Sequence, residues 1–92
     1  MKLFTFFTTR GWCQNALARD AAGEPCPPSS PDARAWNLIS AMLLILNRQE
    51  IDRACRQLEA KMPVTDYPVI AWNDRPGRTR AQVVALLKKL DI

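Results

Sequence analysis

Between residues 75 and 89 the chain carries Arg75, Arg78, Arg80, Lys88 and Lys89 and no acidic residue. Cations at that density attract phosphate or carboxylate, and a helix opening at Thr79 adds its unbonded backbone amides to such a site. Tyr67 and Trp72 lie just upstream and offer flat rings on which a base can stack. Each residue also has a plainer reading. Trp72 follows Val69-Ile70-Ala71 and suits a core. Lys88 and Lys89 suit the C-terminal end of a helix dipole without any ligand. No recognisable nucleic-acid motif accompanies the run.

The second constellation is acidic. Asp20 follows Arg19, and Asn73-Asp74 precedes Arg78. Two carboxylates converging beside an arginine can do acid-base chemistry, which makes a histidine-independent carboxylate enzyme the third functional class considered. Turn chemistry offers both a simpler role. Asp20 opens the turn Asp20-Ala-Ala-Gly23, and Asn73 and Asp74 cap backbone amides around Pro76-Gly77.

The chain contains no histidine, the commonest general base, so Cys13, Cys26 and Cys55 have no imidazole to activate them. An odd cysteine count without a CxxC pair argues for reduced thiols in a cytoplasm and against a tetrahedral zinc site. No metal and no cofactor are expected. The opening MKLFTFFTTR is too short in its apolar run for a secretory leader. The apolar stretch 35–46 includes Asn37 and Ser40 and is far shorter than the roughly 20 residues a membrane span needs.

What must position these residues is a small domain. Ninety-two residues with 48% apolar content make one globular unit over 1–92, with a proline-rich connector at 25–31 inside it. The net charge is +4, and nine of the thirteen cations are arginine, the residue suited to bidentate recognition.

Residues 2–7 are compatible with a strand or a first helical turn. Residues 14–26 read as a short hairpin or compact loop. Ser30-Pro31-Asp32 carries N-cap, first-position and dipole signals, which predict a central helix over 33–46. Asn47 and Glu50 form a capping pair for a second helix, with Ile51, Ala54, Cys55, Leu58 and Met62 on one face. Asp52 and Arg56 on its other face are spaced as a surface ion pair.

Pro63 ends that helix. Val69 and Ile70 then suggest a short strand, and Thr79 with Gln82 caps a terminal helix burying Val83, Val84, Leu86, Leu87 and Leu90. The expected fold is therefore α+β: mainly helical, with three main helices and one or two short β segments. Trp12, Trp36 and Trp72 are expected to form one core against the helix 33–46.

Several spaced residues carry a resemblance. Arg10-Gly11-Trp12-Cys13-Gln14, Ala16, Ala18-Arg19-Asp20-Ala21, Gly23, Pro25, Pro31-Asp32-Ala33, Trp36, Leu38 and Ala41 form one block. Ala71-Trp72-Asn73-Asp74 and Pro76-Gly77-Arg78-Thr79 form the other. Together they are similar to an uncharacterised family of small bacterial and phage proteins. Asn15 and Ser40 stand where that family usually has glycine. The resemblance implies a shared fold and a mobile-element setting and supplies no reaction.

With catalysis disfavoured, the expected function is a small non-enzymatic binding protein. It acts by stoichiometric occupation of a larger protein or nucleoprotein complex, for example as an anti-CRISPR-type inhibitor, and no membrane is involved. The alternative is a nucleic-acid-binding accessory protein that uses the basic region 75–89.

Overall fold

Two helices begin where their capping pairs place them. In the computed structural model, which describes residues 1–92, α3 spans Arg48–Glu59 and α5 spans Arg80–Leu90. In each, the side chains of N-cap and third helical residue exchange bonds with backbone amides: Asn47 with Glu50, and Thr79 with Gln82. This satisfies donors that the helix itself cannot. Residues 3–9 resolve as a helix, α1, that buries Leu3, Phe6 and Phe7.

The central helix begins later than its sequence signals suggest. Residues 33–36 form a strand, β3 (Ala33–Trp36), and α2 runs over Leu38–Ile45 with Asn37 as its N-cap. The Ser30-Pro31-Asp32 signal belongs to a turn instead, in which Asp32 N–H donates to the Ser30 hydroxyl and Ala33 N–H to the Ser30 carbonyl. Pairing decides the outcome. β3 is the middle strand of a three-stranded sheet, parallel to β1 (Gly11–Trp12) and antiparallel to β2 (Ala18–Asp20). These partners lie far away in sequence and outweigh the local helix propensity.

Gly11 is required by that pairing, because a Cβ there would stand 2.6 Å from the Arg34 carbonyl oxygen. The hairpin-like turn after β2 forms as expected. Gly23 at φ +82° reverses the chain, and Arg19 bridges to Pro25.

The segment expected as a strand at Val69-Ile70 is also helical. α4 spans Pro68–Asn73, with Pro68 at its start, where a missing N–H costs nothing, and Val69 turned into the core. The α+β, mainly helical class holds, with five helices rather than three main ones.

The core consists of Leu3, Phe6 and Phe7 of α1 with Leu38, Ala41, Met42, Ala54, Leu58, Met62, Val69, Val83 and Leu87. It draws on all five helices. The three tryptophans do not form its centre. Each is half-buried and packs against its edge, Trp36 edge-on to Phe6 with ring centroids 5.4 Å apart. Because α2 starts at Leu38, its inward side is Leu38, Ala41 and Met42, and Leu43 is left exposed.

The single ion pair in the structure joins Lys2 to Asp91 at 2.8 Å, so the spaced pair Asp52–Arg56 does not close. On an exposed helix face the gain of an ion pair barely offsets the cost of ordering two long side chains.

Candidate functional site

The stretch around Trp72 is first of all a joint. Asn73, only 1% exposed at the end of α4, uses its whole side-chain amide. Its Oδ1 accepts from Trp12 Nε1 at 2.7 Å and from Leu38 N–H at 3.0 Å. Its Nδ2 donates to the Cys13 carbonyl at 3.1 Å and to Asp74 Oδ1 at 2.9 Å. One residue thus ties β1, the start of α2 and the end of α4 together.

Gln14 reinforces the joint by donating to the Asn73 and Arg75 carbonyls. Asp74 Oδ1 also accepts from Asn15 N–H at 2.9 Å. Asn15 sits at φ 61°, the left-handed region that asparagine tolerates better than most residues, so the chain keeps here the backbone a glycine would favour.

The candidate binding residues divide. Arg80 donates through Nε to the Phe7 carbonyl at 2.7 Å, which answers one of the last orphan carbonyls of α1. Arg78 donates through Nε to the Trp72 carbonyl at 3.0 Å and lies 3.9 Å above the Trp72 ring. That stack fixes its plane and leaves its two terminal amino groups unbonded within the protein. Burial against Trp72 and then the charge of Arg75 lower the pKa of Arg78, although a guanidinium stays protonated.

Arg75 is exposed and its side chain makes no bond. The turn that carries both arginines is closed by Arg78 N–H to the Arg75 carbonyl at 3.0 Å, and Gly77 supplies its φ of +85°.

Two grooves flank this turn. One, of about 690 Å³, is lined by Lys61, Pro63, Trp72, Asp74, Arg75 and Arg78. The other, of about 280 Å³, is lined by Arg75, Pro76, Gly77, Arg78 and Gln82. Lys61 joins the cluster from the turn just after α3, eleven residues before Trp72 in sequence, and no spacing rule could have placed it there. Lys88 lines a third groove between α1 and α5 with Arg80, Phe7 and Thr8, and Lys89 lines none of these three. The basic run is therefore divided between separate grooves.

The acidic candidates are occupied in their own turns. Asp20 Oδ1 accepts from Ala22 N–H and Glu24 N–H. Arg19 donates to the Gln14 carbonyl in the loop between β1 and β2 and to the Gly23 carbonyl in the turn after β2. Asp74 Oδ1 accepts from both Asn15 N–H and Asn73 Nδ2. Cys13 is buried, and that burial pushes its thiol up to about 11, partly opposed by Arg19 and reinforced by Asp74. A thiol in that state is a poor nucleophile at neutral pH. No helix is long and apolar enough to cross a membrane.

The family model for a family of unknown function, DUF6197, matches residues 5–90, and the chain belongs to that family. No curated protein and no solved structure matches it.

Proposed function

Starting from that membership, we propose that the protein is a non-enzymatic binding module that occupies a surface of a larger protein or nucleoprotein partner, with the corner Lys61, Trp72, Arg75 and Arg78 as its contact surface. The observation that carries the reading is the Arg78–Trp72 stack at the mouth of a groove, held by Arg78 Nε on the Trp72 carbonyl. Arginine and tryptophan dominate binding hot spots, and a side chain already ordered in the free protein loses little entropy on binding. Asp20 and Asp74 each use Oδ1 to hold backbone amides, and the thiol of Cys13 is buried with a raised pKa, which favours binding over turnover.

The reading extends to setting. Three free thiols suit a reducing cytoplasm, and a host defence complex, for example a CRISPR surveillance complex, is the kind of partner a mobile-element protein of this size would block. The alternative use of the region 75–89 as one nucleic-acid track is less favoured, because its cations face different grooves.

The test is a capture experiment with the intact chain and with the double variant Lys61→Glu/Arg75→Glu, whose residues are both exposed. A partner retained in one-to-one ratio by the native chain and lost by the equally stable variant is the expected result. An unchanged set of retained partners would refute the corner as the contact surface.

A further inference from the structure

Resting on that reading of the corner, we propose that Arg75, Arg78 and Gln82 form a phosphate-binding site in the smaller groove at the 75–78 turn, which Lys61 does not line. The donors come from three side chains. Arg78 contributes two terminal amino groups held in a fixed plane by the Trp72 stack. Arg75 contributes an unbonded guanidinium from the other end of a turn closed at 3.0 Å. Gln82 spends its Oε1 on Thr79 N–H, which leaves its amide NH₂ as a neutral donor lining the same groove. No apolar side chain of the core types lines this groove, and its volume of about 280 Å³ admits a hydrated oxyanion.

The structure's one ion pair, Lys2 with Asp91, involves neither arginine. The nearby carboxylate Asp74 lines the neighbouring groove, and its Oδ1 is already shared between Asn15 and Asn73. Holding Arg75 close enough to disfavour the charge on Arg78 is unfavourable in the free protein, and an anion between them removes that repulsion.

Phosphate fits better than carboxylate for a geometric reason. A single guanidinium fork engages both oxygens of a planar carboxylate, whereas donors arriving from two guanidinium groups and an amide match an acceptor with three or more oxygens. A phosphate monoester also carries about 1.5 to 2 charges at pH 7, against one for a side-chain carboxylate.

The test follows the arginine Nε–Hε and glutamine NH₂ resonances of the full chain during titration at fixed ionic strength. The probes are inorganic phosphate, glutarate and a hexathymidylate oligonucleotide. Phosphate should give a saturable shift confined to Arg75, Arg78 and Gln82, with glutarate weaker by about 10-fold. Arg75→Gln should weaken phosphate binding by about 10- to 100-fold, the equivalent of losing a charged hydrogen-bonding group.

Tighter binding of the oligonucleotide than of phosphate assigns the group to a nucleic-acid component of the partner. The reverse order assigns it to a free phosphate or a small phosphorylated ligand. The proposal is overturned if phosphate gives no saturable shift, if glutarate matches it, or if shifts spread equally to Arg48, Arg53 and Arg56. Should that happen while capture of a partner still depends on Lys61 and Arg75, the contact surface stands and its phosphate chemistry falls.

Discussion

Replacing Asn73 by alanine tests the joint that holds the corner in place. The substitution leaves Trp12 Nε1–H and the Leu38 amide, now bonded at 2.7 and 3.0 Å, without an acceptor in a site that is 1% exposed. Each unsatisfied buried donor costs about 1–3 kcal/mol, so the pair costs about 2–6 kcal/mol. The lower half of that range is expected, because Trp12 is half-buried and can recruit water. A domain of this length has a total stability of about 5–14 kcal/mol, so even about 3 kcal/mol is a large fraction of it.

Urea unfolding followed by circular dichroism, read at an unchanged m-value, gives the number directly. The same loss appears as a fall in Tm of about 12–24 °C. Asn73→Asp should not rescue the fold, because it keeps the acceptor but loses both Nδ2 donations and buries a charge beside Asp74. A loss below about 0.5 kcal/mol for Asn73→Ala would show that the four bonds do not hold the joint together.

Other substitutions separate structure from binding. Trp72→Ala should cost about 2–3 kcal/mol in the same urea assay, less than a fully buried tryptophan, since the ring is half-buried. A double-mutant cycle with Arg78→Ala should return a coupling of about 0.5–1 kcal/mol for the stack. Arg80→Ala should lose about 1–2 kcal/mol through the Phe7 carbonyl it serves, while Arg75→Ala should stay within about 0.5 kcal/mol of the native stability.

Alkylation at pH 8 should modify the half-exposed Cys26 well before the buried Cys13, as peptide mapping would show. Because the folded-state pKa of Cys13 is raised to about 11, its contribution to stability is complete below the ordinary thiol value of 9.0 and is lost as pH climbs from there to about 11. Urea midpoints for the native chain and Cys13→Ala should converge over that interval.

What the sequence showed and what it hid follow a physical division. α3 and α5 were legible because Asn47 with Glu50 and Thr79 with Gln82 are local pairs, three residues apart. The turn at Asp20 and Gly23 was legible for the same reason. β3 was hidden, since Ala-Arg-Ala-Trp has no β-branched residue and becomes a strand only when β1 and β2 flank it. Val69 and Ile70 pointed to a strand by residue type, yet Pro68 starts a helix and the burial of Val69 keeps it.

The acceptor role of Asn73 could not be read from a motif whose partners sit 61 and 35 residues away. For the candidate site, the arginines were visible as charges unneeded by the turn. That two of them are structural donors, and that Lys61 joins the third, is visible only in the folded chain.

Within 71–82, Arg78 is fixed by the Trp72 carbonyl and Arg80 by the Phe7 carbonyl of α1, whereas the side chain of Arg75 makes no bond. Exchange rates of the arginine Nε–Hε protons with solvent test this most directly. Slow exchange at Arg78 and Arg80, whose Nε–H groups are donated to the Trp72 and Phe7 carbonyls, and fast exchange at Arg75 are predicted. Equal protection of Arg75 and Arg78, or rapid exchange at all three, would contradict the account.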